Sequence, residues 1–120
     1  MERNVEVGLL FEIYGKTLTD KQRQIVDDYY NNDLSLSEIS ENINITRQAV
    51  RDNLKNAEKK LYDLEEKLHV LENQISYDKI IKKAVIDLSK MEIEFIDNNK
   101  ITSIETLTSV KKMLNNLIKD

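Results

Sequence analysis

The chain of 120 residues contains no cysteine, no proline and only two glycines. Without cysteine, disulfide bonds, thiol catalysis and cysteine-ligated zinc or iron–sulfur sites are excluded. The lack of proline and glycine argues against β-sandwiches and barrels, whose turns need these residues. It also leaves no glycine-rich loop for a P-loop or a dinucleotide-binding fold. These absences favour an all-α protein.

Groups that could act in catalysis or bind a metal are equally scarce. His69 is the one histidine, which excludes a histidine-rich metal site and leaves little for acid–base chemistry at neutral pH. No pair of carboxylates stands in a context that marks a pocket or a nucleophile. We therefore expect no enzyme activity, no catalytic residue, no metal and no cofactor.

Long apolar runs are missing as well. No stretch approaches the roughly 18 apolar residues of a membrane-spanning helix. The N-terminal sequence MERNVEVG lacks the apolar core of a signal peptide. We expect a soluble cytoplasmic protein with no membrane insertion.

Charge is distributed unevenly along the chain. The formal net charge is −4, which argues against a non-specific nucleic-acid binder because such affinity comes from neutralised phosphates. Residues 1–43 carry four cations and nine anions, whereas residues 44–60 carry five cations and two anions. The basic segment is short, and its structural context decides between a solvated helix face and a binding surface.

Helical periodicity and capping residues predict four helices in the N-terminal part of the chain. The first covers residues 3–14, and Gly15 after it is expected to end that helix in the left-handed conformation. The next three helices start at residues whose side chains accept hydrogen bonds from the backbone, two of them within capping boxes. These capping residues are Thr19 with Gln22, Ser35 with Glu38, and Thr46.

The third and fourth helices are separated by about three residues that include Asn44, and asparagine tolerates positive φ. This arrangement is typical of a helix-turn-helix. In that motif the second helix enters the major groove and presents its first turns to base edges. The candidate nucleic-acid-binding residues are Thr46, Arg47, Gln48, Arg51, Asp52, Lys55 and Lys59.

The residue types of this helix suit base and phosphate recognition. Gln48 can form two hydrogen bonds with adenine, and Arg47 and Arg51 can read guanine or hold phosphates. Thr46 can donate to a phosphate as well as cap the helix. The alternative is that these residues only form a solvated face of the helix. In both interpretations Val50 on the same helix faces the core.

Apolar residues of the fourth helix alternate at spacings of four and three from Val50 to Ile75, which is the pattern of a coiled-coil seam. An unbroken helix over residues 46–75 would be roughly 45 Å long. Its leucines and isoleucines would need a partner, so we expect a homodimer, while packing against helices of the same chain remains the alternative. His69 is expected to be a solvated residue inside this helix.

The C-terminal half is predicted to form amphipathic helices. One apolar stripe runs from Tyr77 to Phe95, and the last runs from Ile104 to Ile118. We divide the chain into a tri-helical helix-turn-helix domain, residues 1–60, and a C-terminal helical extension and dimerisation region, residues 61–120.

Residues 18–61 resemble region 4 of bacterial sigma factors. The chain is still more similar to the YlxM family of small bacterial helix-turn-helix proteins, over roughly residues 5–72. The family commonly has an aromatic residue where Arg51 stands, and the arginine here extends the basic face. The motifs that carry this likeness are GLLFEIYGKTLTDKQRQ (8–24), DLSLSEIS (33–40), TRQAVRDNLK (46–55) and EEKL (65–68).

The resemblance implies a function in protein targeting. Genes of this family lie beside those of the signal recognition particle protein or its receptor. This implies a nucleic-acid-binding regulator whose partners are DNA or the particle's RNA, and the particle's protein or its receptor. Two alternatives remain open: a sequence-specific transcriptional regulator of the sigma-region-4 type, and a protein-interaction module that keeps the helix-turn-helix as a scaffold.

Overall fold

The computed structural model describes residues 1–97 and 101–117, and its regular elements in these ranges are all helical. The chain divides into two compact units, Met1–Glu72 and Asn73–Asp120. The predicted all-α class is confirmed. The helices are α1 (Arg3–Tyr14), α2 (Asp20–Val26), α3 (Leu36–Ile43), α4 (Arg47–Leu68), α5 (Val70–Asp97) and α6 (Ile101–Leu117).

The first unit has an apolar core to which α1, α2, α3 and α4 all contribute. Helix α4 packs against each of the three preceding helices. Val50, Ala57 and Leu61 of α4 are completely buried, as is Ile39 of α3. The remaining buried hydrophobic residues of this unit are Val7, Leu10, Tyr14, Leu18, Ile25, Val26, Leu54 and Leu71.

The predicted helix starts are confirmed by their hydrogen bonds. The Thr19 and Ser35 hydroxyls each accept from a backbone N–H three residues on, at 3.1 Å, and both capping boxes are complete. The Thr46 hydroxyl accepts from the N–H of Ala49 at 3.0 Å. Each cap satisfies a backbone donor that has no partner inside its helix.

Removal of the two caps that flank the turn should lower stability. We expect Ser35→Ala and Thr46→Ala each to cost about 0.5–2 kcal/mol of unfolding free energy, because each leaves a helix N-terminal N–H without its side-chain acceptor. Urea unfolding monitored by circular dichroism measures the loss. The control is Ser37→Ala inside α3, where alanine is the better helix former. An equal loss in the control would contradict the capping roles.

The expectation for Gly15 is wrong. Its φ is −56°, within the right-handed region, and it begins a short 3₁₀ turn, Gly15–Thr17, after α1. A Cβ on Gly15 would lie 3.1 Å from the Phe11 ring, so a larger residue would need this ring to shift by a few tenths of an ångström. The position therefore favours glycine through the close approach of the ring rather than through a left-handed conformation.

The prediction of one long helix over residues 46–75 is also wrong. Helix α4 ends at Leu68, and His69 takes a left-handed conformation with φ 55° before α5 begins at Val70. His69 is therefore a helix-ending residue rather than one inside a helix. Because of this break, the Leu71 side chain is buried in the core of the first unit, while Leu68 remains 55% exposed.

Glu65 fixes the start of α5. Its carboxylate accepts from the N–H of Leu71 at 3.0 Å and from the N–H of Glu72 at 2.9 Å. The Tyr14 hydroxyl donates to the same carboxylate at 2.8 Å. Partial burial alone would raise the pKa of Glu65, but these hydrogen bonds outweigh it and hold the pKa below its ordinary value.

This lowered pKa predicts a pH dependence of stability. A carboxyl group whose pKa is lower in the folded state stabilises the fold above its unfolded pKa of about 4.5 and loses that contribution as pH falls through its folded pKa. We expect Glu65→Gln to lower the Tm at pH 7 and to reduce the further loss of Tm between pH 5 and pH 3, both readable by thermal unfolding. Glu66→Gln, at the exposed neighbouring residue, should leave the wild-type profile. Identical profiles for the two variants would contradict the role of Glu65.

A polar cluster joins α1 to the middle of α4. Arg3 donates to Glu58 at 3.2 Å and stacks over the Tyr62 ring at 5.1 Å. The Tyr62 hydroxyl donates to Glu6 at 2.6 Å, and the Tyr30 hydroxyl donates to Glu58. Burial, supported by the Glu6 carboxylate, raises the pKa of Tyr62 to about 12. Both tyrosines remain protonated donors at neutral pH and hold α4 in place.

The second unit is a helical hairpin of α5 and α6. Glu92 of α5 accepts hydrogen bonds from Thr108 and Lys111 of α6, both at 3.1 Å. Since only three residues separate the helices, these contacts show that the helices run antiparallel. The two predicted apolar stripes lie on these helices, and Ile118, assigned to the last stripe, lies outside the described residues.

Candidate nucleic-acid interface

The turn between α3 and α4 is held by short-range hydrogen bonds. Asn44 has φ 57° and ψ 48°, as its sequence position predicts, and its N–H donates to the carbonyl oxygen of Ser40. The Ser40 hydroxyl donates to the Ile45 carbonyl at 2.6 Å. Asparagine adopts this left-handed conformation at low cost. The turn therefore fixes the direction in which α4 leaves α3.

Packing on one side of α4 determines what its other side presents. Val50, Leu54, Ala57 and Leu61 are buried in the core. All seven candidate residues of the predicted interface are exposed. Their spacing places the three cations Arg47, Arg51 and Lys55 one helical turn apart along one flank of α4, roughly 90° around the helix from the buried residues. The predicted face therefore exists, and what it binds stays a prediction.

Two hydrogen bonds order the polar side chains in the first turns of α4. The Gln48 amide donates to Asp52 at 2.9 Å, and Arg51 donates to the Gln48 carbonyl oxygen at 3.3 Å. Asp52 thereby orients Gln48 and offsets part of the positive charge beside it. The spacings of three and four residues along a helix were the signal for these contacts.

The cations of α4 differ in their local partners. Within residues 1–97 and 101–117, the side chains of Arg47 and Lys55 form no hydrogen bond or ion pair, whereas Lys59 forms an ion pair with Asp63 at 3.6 Å. Lys60, from the same basic segment, donates to the Thr17 carbonyl instead. Arg47 and Lys55, together with Arg51, are therefore the cations most available to a ligand. The contact made by Lys60 has no sequence signal because Thr17 is distant in the chain.

Residues 1–107 match the sequence profile of the family UPF0122, described as "Putative helix-turn-helix protein, YlxM / p13 like". The chain belongs to the UPF0122 family. This confirms the resemblance that the motifs indicated and extends it beyond residue 72, through α5 and into α6. Family membership supports the helix-turn-helix assignment of α3 and α4, and the family is not one of enzymes.

Curated UPF0122 relatives match over most of their length. A UPF0122 protein of Fusobacterium nucleatum is 39% identical over 107 residues, covering 89% of this chain and 97% of the relative. One of Clostridium kluyveri is 38% identical over 119 residues, covering 98% and 100%. The UPF0122 protein YofM of Lactococcus lactis is 43% identical over 83 residues, covering 69% and 75%.

Among the described residues, none of the helices combines the length and the apolar character needed to cross a bilayer.

Proposed function

We propose that this UPF0122 protein is a regulatory nucleic-acid-binding protein that uses the first three turns of α4. The observation that carries the proposal is the coincidence of the one basic segment with the exposed face of the second helix of the helix-turn-helix. The positive end of the α4 dipole adds to the attraction for phosphate. The interface consists of Thr46, Arg47, Gln48, Arg51, Asp52, Lys55 and Lys59.

The contacts within this interface favour selective binding. Arg47 and Lys55 are unpaired within the described residues and suit phosphates, while Gln48, oriented by Asp52, suits a base edge. The carboxylate of Asp52 repels phosphate. Because few cations are available, tight binding requires base contacts in addition to the general electrostatic attraction.

The targeting role follows from family resemblance. We place the protein in the signal recognition particle pathway, with the particle's RNA as the nucleic acid and the particle's protein or its receptor as the second partner. Recognition of a DNA site by a transcriptional regulator is the alternative. The protein acts in the cytoplasm without catalysis, as a homodimer, with residues 1–60 as the binding domain and 61–120 as the dimerisation region.

Gel-shift titration against duplex genomic fragments and against signal recognition particle RNA tests this function. We expect a shift at low salt that disappears as salt rises, with the RNA preferred over duplex DNA of equal length. Preference for a DNA fragment would favour the transcriptional regulator. If neither nucleic acid is shifted at low salt, the proposal is wrong and the interaction-module interpretation replaces it.

A further inference from the structure

The hairpin of the second unit leaves large apolar side chains exposed along one side. Its two helices face each other through half-buried positions such as Ile81 and Leu88 of α5 and Leu107 and Leu114 of α6. Other apolar residues lie beside this contact, with exposed fractions between 40% and 68%. We call the following six residues the apolar side: Tyr77, Ile80, Met91, Val110, Met113 and Leu117.

Helical geometry shows that these six residues share one side of the hairpin. At about 100° per residue, the exposed residues of both helices are rotated from the half-buried positions in the same sense, by roughly 30–130°. In an antiparallel pair, equal rotation on both helices leads to the same side. The ion pair of Glu92 and Lys111 and the Thr108 hydroxyl lie toward the other side. The other side carries these polar contacts together with three exposed isoleucines of α5, Ile86, Ile93 and Ile96, whereas the exposed large apolar residues described in α6 all lie on the first side.

The apolar side has the spacing of a surface that can pair with itself. Tyr77, Ala84 and Met91 follow one another at intervals of seven residues along α5. If two copies of α5 cross antiparallel with Ala84 at the two-fold axis, Tyr77 of one copy meets Met91 of the other. The small alanine side chain at the centre lets the helix backbones approach. Two-fold pairing requires this reciprocity: if Tyr77 of the first copy contacts Met91 of the second, then Met91 of the first copy contacts Tyr77 of the second.

Charges at the border of the apolar side fit the same register. Lys83 and Asp87 lie on one flank of this strip, both are exposed, and neither forms an ion pair within the described residues. In the antiparallel register centred on Ala84, Lys83 of each copy lies close to Asp87 of the other. Pairing therefore brings opposite charges together at two symmetry-related points.

We infer that the apolar side binds a second copy of this chain, so that two hairpins form a four-helix bundle with Ala84 at its two-fold axis. A standard interface takes about 800 Å² from each partner, and six large side chains that are 40–68% exposed supply much of that area. The inference rests on the homodimer of the proposed function but places its interface on the apolar side instead of on the coiled-coil seam of residues 61–75. That seam is interrupted at His69.

Two isoleucines of α5 provide a matched test. Ile80, on the apolar side, is 63% exposed, and Ile93, on the other side, is 62% exposed. Light scattering of the full chain at micromolar concentration should give twice the 14.1 kDa chain mass for the wild type and for Ile93→Lys. Ile80→Lys should give the monomer mass with unchanged helical circular dichroism. A monomeric wild type, or an Ile80→Lys variant that stays dimeric, overturns the inference.

Disulfide formation locates the two-fold axis independently. Because the chain has no cysteine, Ala84→Cys introduces a single thiol, and two such residues at the axis lie within the Cα separation of about 4.4–6.8 Å that a disulfide spans. Under mild oxidation with copper–phenanthroline we expect Ala84→Cys to form a covalent dimer at least ten times faster than Lys90→Cys, whose residue lies about 120° around α5 from Ala84. Equal rates overturn the inference.

These outcomes are separable from the failure of nucleic-acid binding. A dimer that cross-links at Ala84 but shifts neither DNA nor RNA would support this interface and contradict the proposed binding function. A monomer that still binds nucleic acid would do the reverse.

Discussion

Replacing Arg47, Arg51 and Lys55 together with alanine should abolish nucleic-acid binding at physiological salt. On duplex DNA, the slope of log K against log salt should fall by about 0.9 for each phosphate that the variant no longer neutralises. If Arg51 also reads a base edge, its removal should cost a further ~1–3 kcal/mol, which is about five- to 150-fold in Kd. Fluorescence anisotropy titrations at several salt concentrations measure both effects.

A charge-matched control separates the interface from the general effect of reduced positive charge. Lys16, Lys21 and Lys67 are exposed and lie outside the proposed interface. Their triple alanine variant has the same net charge as the interface variant. Its slope of log K against log salt should differ from the wild-type slope by no more than about 0.9, the contribution of one neutralised phosphate. If both triple variants weaken binding equally, the first turns of α4 are not the interface.

Truncation of Ile39 should cause the largest loss of stability. This side chain is completely buried between α3 and the other helices of the first unit. Ile39→Ala should lower the unfolding free energy by about 2–5 kcal/mol, because it removes buried methyl groups and leaves a cavity in the core. That is a large share of the roughly 5–15 kcal/mol by which native domains are stable. Urea unfolding of the full chain measures it.

Ile86→Ala in the second unit is the matched control for this truncation, since Ile86 is 55% exposed. Little apolar burial is removed there, so we expect a change within about 0.5 kcal/mol. Similar losses of stability in the two variants would mean that Ile39 does not belong to the core that positions α4.

The elements predicted best from the sequence are those fixed by local chemistry. Thr19, Ser35 and Thr46 cap helices through side chains that bond three residues along the chain, so sequence spacing alone indicates them. The left-handed Asn44 follows from the same reasoning, because its residue type determines which backbone conformation is inexpensive. These four positions define the helix-turn-helix and hence the placement of the candidate interface.

The break after α4 depends on contacts that sequence periodicity does not show. Apolar residues continue at heptad spacing through Leu68 and Leu71, so the pattern predicts one helix. The left-handed conformation of His69 is uncommon for a residue other than glycine, although histidine, like asparagine and aspartate, adopts it more often than most residues do. It is stabilised by the Glu65 carboxylate, which caps α5, and by burial of Leu71 in the first unit.

The exposed surfaces were the least predictable part of the site. Helical spacing predicted that Arg47, Gln48 and Arg51 would face outward, and they do. It did not indicate that Lys60 would contact the Thr17 carbonyl, because tertiary packing brings these residues together. The same limitation applies to Tyr77, whose place on an apolar stripe indicated a buried position although it is 61% exposed.

Chemical-shift mapping tests the central claim most directly. Backbone amide signals of the ¹⁵N-labelled protein are followed while signal recognition particle RNA, and separately duplex DNA, is added at low salt. The proposed interface predicts that the largest shifts with the bound nucleic acid fall on residues 46–59, with little change in α1 or in α6. Shifts concentrated elsewhere, or unchanged spectra with both nucleic acids, would contradict a nucleic-acid interface on α4.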